Sequence, residues 1–228
     1  FEVVILYGEL GGANTKILIQ KGIKLKHISI KRKSVDPFND LISLFYIWKF
    51  FKDERPDIVH LITIKPYLYG GIISYLTNVP ALVTAVSGLG TIFINKNFKY
   101  KLLRLLLYPF YKLAFKHINQ KVILQNEDDL KFLVKWGILN PSKAILFKGS
   151  GVQIDHFTQL EEPEGIPTIC FASRLIKEKG IYEFIDAARL LIERGIKAKF
   201  YIAGNLDKNN PSTLSDNYIN NLKQESYL

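Results

Sequence analysis

The sequence is short of several things, and each shortage excludes something. It holds one cysteine, Cys170, in 228 residues, so neither an intrachain disulfide nor a multi-cysteine zinc centre can form. Cys170 lies in an apolar run and reads as a reduced core residue, which fits a reducing cytoplasm. Methionine is absent and the chain opens on Phe1, already inside a strand-like run; the sequence reads as a fragment. No stretch reaches the roughly 18 uncharged apolar residues of a membrane-spanning helix. The longest uncharged run, Pro66 to Asn95, is broken by Gly70-Gly71, Asn78, Pro80, Gly88 and Gly90. No signal-peptide pattern opens the chain. There is no Gly-x-Ser-x-Gly elbow, no P-loop, and no Gly-x-Gly-x-x-Gly after a strand, which argues against nucleophilic-serine and nicotinamide chemistry. "GELGG", residues 8–12, reads as a turn. His27, His117 and His156 are scattered and form no metal-ligand spacing with acids, and His60 reads as a core histidine inside an apolar strand.

One further absence is local. No Asp or Glu occurs between Asp57 and Glu127, an interval that holds Lys65, Lys96, Lys99, Lys101, Arg104, Lys112, Lys116 and Lys121. It contributes to a net charge of +10, which suggests an anionic partner: nucleic acid, acidic lipid headgroups or a phosphorylated substrate. Its centre, "NKNFKYKLLRLLLYPFYKLAFKH", is basic, aromatic and helical in period. Two readings are open. The segment lies on an anionic membrane surface, with Lys96, Lys99, Lys101 and Arg104 at the headgroups. Or it is an ordinary helix packed on a sheet by Leu102, Leu103, Leu106 and Leu107.

What is present is a core and a rhythm. Hydrophobic residues make up 48% of the chain, enough to exclude general disorder. Short apolar runs at Val3–Tyr7, Leu25–Ile30, Asp57–Leu61, Ala81–Val86, Lys121–Leu124, Ala144–Phe147, Ile166–Phe171 and Lys199–Ala203 read as strands, several continuous enough for burial on both faces. Between them Asn14–Lys21, Phe38–Glu54, Tyr67–Thr77, Phe98–Phe115, Glu127–Trp136 and Ile181–Glu193 carry helical periods. The alternation predicts an α/β fold with doubly wound parallel sheets. "TQLEEPEGIP" is polar, acidic and Pro/Gly-bearing, and suits a linker. The expected organisation is a Rossmann-like domain over residues 1–157, a linker over 158–165 and an incomplete second Rossmann-like domain over 166–228.

Candidate chemistry gathers where strands end, because ligands of open α/β sheets bind beyond the carboxyl ends of the strands. In "FASRLIKEKG", residues 171–180, Arg174 stands at such an end, and Lys179 and Gly180 precede a helix. A guanidinium fork, an ammonium and a helix N-terminus suit a diphosphate; a solvated loop is the alternative. Three more loops join it: "HLITIKPYLYG" with Thr63 and Lys65, "TAVSGLGTIF" with Ser87, Gly88 and Gly90, and "FKGSGVQIDHF" with Gly149, Ser150 and Gly151. Glycines there let a ligand approach the backbone. No catalytic residue and no metal ligand can be named.

These residues resemble a known family. "FASRLIKEKGIYEFIDAARLL" is similar to the second-domain opening of family-4 retaining glycosyltransferases of the GT-B fold, in which an arginine and a lysine at this spacing grip a nucleotide-sugar diphosphate; the match puts Arg174 and Lys179 in those roles. "GSGVQIDHF" resembles the segment leading into the interdomain linker, with Ser150 where Asn is usual. "ERPDIVHLITIKP" and "VTAVSGLGTIF" resemble cleft-lining strand ends, with Ser87 where many relatives have histidine. "SGLG" with "KSVDPFNDL" upstream looks most like the branch that builds capsule, O-antigen or glycoprotein glycans on polyprenyl-diphosphate lipids. The resemblance runs from about residue 2 to residue 205. It implies a glycosyltransferase at the cytoplasmic face of the cell membrane. Such an enzyme moves a hexose or N-acetylhexosamine from a nucleotide-sugar to a lipid-linked or growing glycan, with retention and without a cofactor or obligatory metal. Lys65, Ser87, Gly88, Gly90, Gly149, Ser150 and Gly151 would line the acceptor side. It also implies a strand before Phe1 and a glutamate pair beyond Leu228, so this stretch alone is expected to be inactive. The alternatives are a GT-B sugar-nucleotide epimerase and, more remotely, a basic nucleic-acid binder, for which no motif appears.

Overall fold

A computed structural model describes residues 1–8, 12–28, 30, 36–94, 97–149, 151–207, 210 and 212–222. The chain divides into two units, Phe1–Val152 and Gln153–Leu228. The first runs β1 (Val4–Tyr7), α1 (Gly12–Gln20), β2 (Lys24–His27), α2 (Pro37–Glu54), β3 (Ile58–Ile62), α3 (Ile64–Leu76), β4 (Ala81–Val86), α4 (Thr91–Ile94), α5 (Phe98–Ala114), β5 (Gln120–Leu124), α6 (Glu127–Lys135) and β6 (Ala144–Leu146). Strands β3, β4, β5 and β6 pair in that order, all parallel, and β1 pairs with β2 in a parallel pair of its own.

Local chemistry sets the helix ends. The Asp36 carboxylate accepts from the Phe38 and Asn39 amides at 3.1 and 3.4 Å, and Pro37 fills the first turn of α2, where a missing N–H costs nothing. Asn126 caps α6 by accepting from the Asp129 amide at 2.8 Å, and Glu127, Asp128 and Asp129 put negative charge at the positive end of that helix. Past its other end Gly137, at φ +73°, donates to the Val134 carbonyl, the left-handed stop that glycine makes cheap.

The sheet buries one face. Val59 and Leu61 of β3, Leu82, Thr84 and Val86 of β4, and Val122 and Leu124 of β5 are buried, while alternate positions are more open. The continuous apolar runs predicted burial on both faces; the structure shows the period of two instead. His60 is a consequence. It lies on the outer face of β3 and is exposed, as are Ile58 and Ile62 beside it, so it is not a core histidine.

Helix α3 is the centre of this unit, with Tyr67 through Ser74 all buried. It packs on β3 and β4 and lies against both α2 and α5. Gly70 and Gly71 make this possible. A Cβ on Gly70 would overlap the Leu61 side chain, and one on Gly71 would sit 2.7 Å from the Ala114 carbonyl oxygen of α5. The inner side of α5 is Leu107, Tyr108, Tyr111 and Ala114. Of the four leucines expected to hold it down, Leu102 and Leu106 are exposed.

The second unit runs β7 (Thr168–Ala172), a 3₁₀ turn at Lys177–Lys179, α7 (Ile181–Glu193), β8 (Lys199–Ala203) and α8 (Asp216–Leu222), with β7 and β8 parallel. Its core gathers Leu175, Ile181, Ile185, Leu214 and Leu222, with Phe171, Phe184 and Ile202 packed against it. The strand side chains of opposite parity point away from α7. Cys170 is among them and is exposed, so the expectation of a core cysteine fails for the same reason as at His60. Helix α8 lies in a stretch whose polar composition hid it; Leu214 and Leu222 anchor it.

Replacing Gly71 with alanine would force α3 and α5 apart at a backbone contact. It is expected to cost about 1–3 kcal/mol, read as a lowered midpoint in urea unfolding of the chain. An unchanged midpoint would mean that the helices do not need this close approach.

Candidate functional site

The loops after β3, β4 and β6 all open at the carboxyl edge of one sheet. After β3 the backbone turns sharply: Thr63 has φ +72° and ψ 167°, a region that only glycine visits without strain. Helix α3 then starts at once, so Lys65 lies in its first turn and not in a loop. Its ammonium is 2.8 Å from the Asp40 carboxylate of α2 and 5.8 Å from the Tyr69 ring centre, and the side chain is four-fifths buried, at 20% exposure. Lys65 ties α3 to α2.

After β4, Ser87 is exposed and buried Leu89 anchors the turn between Gly88 and Gly90. Gly90 has φ +78°, and a Cβ there would lie 2.8 Å from Ile64 at the head of α3, so the loops after β3 and β4 touch. A Cβ on Gly88, at φ +149°, would meet nothing within 4 Å. Gly149 and Gly151 after β6, at φ +88° and +70°, are equally open. Ser150 and Lys96 lie outside the described residues.

Lys99 and Lys101 are exposed on the first turn of α5, beside exposed Phe98, Leu102, Leu105, Leu106 and Phe110. Arg104 differs. It is half-buried and donates to the carbonyl oxygens of Ile92 and Phe93 at 2.6 and 3.4 Å, closing the end of α4. Those bonds use one of its nitrogens and tie α5 to α4.

The Arg174 loop belongs to the second unit, so the four strand-end loops do not share one sheet edge; each unit has its own. The Ser173 amide donates to the Ala203 carbonyl at 3.1 Å and the Leu175 amide to that of Asn205 at 3.1 Å, so the chain leaving β7 runs beside the chain leaving β8. The Arg174 guanidinium points outward, 57% exposed, and one of its nitrogens lies 2.9 Å from a carboxylate oxygen of Asp207. Lys179 closes the 3₁₀ turn and is exposed, with no carboxylate within ion-pair distance among the described residues. Gly180, at φ +79°, is the hinge between turn and helix, and no side chain caps the first amides of α7. Exposed Glu178 accepts from the Ser212 hydroxyl at 2.6 Å. That bond, its own backbone amide and the charges of Lys177 and Arg174 hold its carboxyl below the usual range. A fork, an ammonium and free helix amides together can take an anion with two phosphates.

Gly204 and Asp207 escaped the sequence reading. A Cβ on Gly204 would overlap the Ser173 carbonyl oxygen. Its one signal was a glycine directly after a strand, where a neighbouring backbone comes close.

Two hollows of about 360 and 370 Å³ lie at the opposite, amino-terminal edge of the first sheet. The cations of the first are engaged in structure. Lys143 donates to the carbonyls of His117 and Phe115 at 2.6 and 3.4 Å, and burial lowers its pKa. Lys116 lies 5.1 Å from the Tyr75 ring centre. Among the described residues no group of three or more His, Cys, Asp or Glu is placed to hold a metal, and no helix is long and apolar enough to cross a membrane.

Residues 2–126 match the family described as Glycosyl transferase 4-like. Over 219 residues the chain is 28% identical to the N,N'-diacetylbacillosaminyl-diphospho-undecaprenol alpha-1,3-N-acetylgalactosaminyltransferase of Campylobacter jejuni, covering 90% of this chain and 57% of that protein. It is also 28% identical to the capsular polysaccharide biosynthesis glycosyltransferase CapM of Staphylococcus aureus, over 88% of this chain and 54% of that one. The chain thus spans about half the length of the curated relatives it matches. Among solved structures, a glycosyltransferase from Rickettsia africae ESF-5 superposes with a TM-score of 0.64 at 21% identity, over 97% of this chain and 55% of that chain. That likeness shows the fold, the paired parallel α/β units of GT-B proteins.

Gly204→Ala tests the seam between the two loops of the second unit. It is expected to move the amide resonances of Ser173–Leu175 and Asn205 and to destabilise this unit by about 1–3 kcal/mol. Unmoved resonances at 173–175 would show that the loops are independent.

Proposed function

The chain belongs to the glycosyl transferase 4-like family, and from that premise we propose that it forms part of an enzyme that transfers a hexose or N-acetylhexosamine from a nucleotide-sugar to a lipid-linked or growing polysaccharide acceptor, with retention at the anomeric carbon. The observation that supports the reading is the second unit's strand end, where exposed Arg174 and Lys179 lie in one connection from β7 to α7 and no side chain caps the first amides of that helix. In the transfer, the bond from the anomeric carbon to the diphosphate oxygen breaks, a bond to an acceptor hydroxyl oxygen forms, and the hydroxyl proton leaves with the departing diphosphate. Negative charge grows on the leaving diphosphate. Cations fixed in place before the reaction stabilise that charge without reorganising. Two relatives named for a diphospho-undecaprenol-linked acceptor and for capsular polysaccharide support a polyprenyl-diphosphate or glycan acceptor here.

On the acceptor side the weight falls on Ser87, Gly88, Gly90, Gly149, Ser150 and Gly151; Lys65 supports them from beneath through Asp40. An acceptor carried on a lipid also gives α5 a purpose. Its outward Phe98, Leu102, Leu105, Leu106 and Phe110 are interleaved with Lys99, Lys101 and Lys112, the composition of a helix that lies in an anionic interface. The enzyme would work as a peripheral protein on the inner face of the cell membrane.

Two measurements test this. In a transfer assay with the full-length protein, Arg174→Ala and Lys179→Ala are each expected to lower kcat/KM about 100-fold; near-normal values in the double variant would sink the diphosphate assignment. In vesicle sedimentation, Lys99→Gln with Lys101→Gln should weaken binding to vesicles containing anionic lipid roughly 30-fold, at about 1 kcal/mol per lysine. Equal binding by wild type and variant would leave α5 an ordinary surface helix.

A further inference from the structure

The described residues after β8, from Asn205 to Asp207 and from Ser212 to Leu214, form a strap along the Arg174 loop. The Leu175 amide donates to Asn205, the Lys177 amide to Ser212, and the Leu214 amide back to Leu175, at 3.1, 2.9 and 3.1 Å. The Thr213 hydroxyl also donates to the Leu175 carbonyl at 3.2 Å, and Ile176 and Thr213 form an antiparallel bridge. Leu214 is buried to 1% exposure and fastens the strap to the unit's core. Two side chains then reach from the strap to the loop's charged groups: Asp207 to Arg174 and Ser212 to Glu178.

We propose that Asp207 is a positioning residue that aims the Arg174 guanidinium at the ligand's phosphates. The geometry fits that role. Asp207 is the better-covered partner at 25% exposure, and Arg174 the freer one at 57%, so the carboxylate is the foot and the guanidinium the arm. The contact engages one nitrogen of a group with five N–H donors, leaving the rest for phosphate oxygens. A long arginine side chain gives up rotamer freedom whenever it binds; a partner already holding one nitrogen removes part of that cost beforehand. Ser212 does the complementary work. It keeps the Glu178 carboxylate on the strap, with Lys177 and Arg174 nearby, and so restrains the one acid of the loop from occupying the arginine.

The inference rests on the reading that Arg174 meets a diphosphate, and the experiment separates the two. Inorganic pyrophosphate serves as the probe, titrated calorimetrically into wild type, Asp207→Ala, Asp207→Asn, Arg174→Ala and the Arg174→Ala/Asp207→Ala double variant. Positioning predicts an affinity about tenfold lower in Asp207→Ala. It predicts an affinity equal to or above wild type in Asp207→Asn, whose amide oxygen keeps the bond and sheds the like charge, and no further loss on adding Asp207→Ala to Arg174→Ala. If both Asp207 variants bind pyrophosphate more tightly, Asp207 is merely a competing anion and the proposal falls. It falls too if the loss in Asp207→Ala persists without Arg174. If Arg174→Ala alone leaves affinity unchanged, the diphosphate reading fails, and the guanidinium resonances of Arg174 decide the positioning on their own. Slow rotation in wild type and Asp207→Asn but averaged signals in Asp207→Ala uphold it, and averaged signals in all three overturn it. Asp207→Asn, close in shape to the native residue, keeps the test alive should the alanine variant fail to fold.

Discussion

A strand that pairs in parallel with its neighbour must be reached by a crossover that carries the chain back to the end it left, and that requirement organises everything else here. It puts α3 between β3 and β4 and α5 between β4 and β5 in the chain, with α3 against the buried face of the sheet and α5 against α3. It makes the turns after β3, β4 and β6 share an edge although their residues are spread from 63 to 151. In the second unit it brings Ser173 to Gly204 across thirty intervening residues. The exposed glycines and the outward Arg174 arise at these edges because backbone leaving a strand end has no ladder partner to bury it.

A crossover helix has to lie close to its sheet, and the glycine pair of α3 sets how close. With no side chain at Gly70 or Gly71, α3 sinks onto Leu61 and lets the Ala114 backbone of α5 approach. The inner contacts of α5 are then satisfied by Leu107, Tyr108, Tyr111 and Ala114. Its outward leucines and phenylalanines add nothing to the core. The same holds on α2, where Ile47, Phe50 and Phe51 face inward while Phe38, Leu41, Ile42 and Phe45 face out. Apolar area left in water on both flanks of α3 brings no folding stabilisation, which is why the outward face of α5 is read as an interface.

The parts of this architecture legible from the chain are those fixed by neighbours in sequence. All eight strands among the described residues were visible as apolar runs, Ala81–Val86 and Lys199–Ala203 to the residue, because strand propensity and punctuation are local. Arg174, Lys179 and Gly180 were legible for the same reason, as one strand–turn–helix. What was hidden depends on residues far along the chain. Apolar runs at His60 and Cys170 could not reveal which strand face a helix would cover. Arg104 looked like one more surface cation until α4 presented the carbonyls of Ile92 and Phe93, twelve and eleven residues earlier. Asp207, at 33 residues from Arg174, has no local mark at all; a lone acid in a polar stretch reads as solvated.

The two cation–carboxylate pairs on functional edges then separate by what each leaves over. Lys65 and Asp40 are 20% and 25% exposed, and the pair joins two helices of the core layer. A compact ammonium held there is spent on packing, and moving it toward a ligand would strip a mostly buried carboxylate of its partner, a costly change. Arg174 and Asp207 are the reverse case. The arginine is mostly in water, the contact uses one nitrogen, and water screens the attraction so that the pair itself contributes little to stability. A pair that stabilises little yet is framed by five backbone and side-chain bonds between strap and loop is better explained by where it aims than by what it holds together. Lys65 is on that argument a scaffold residue, and the proposed anion site draws on Arg174, Lys179 and the amides behind Gly180.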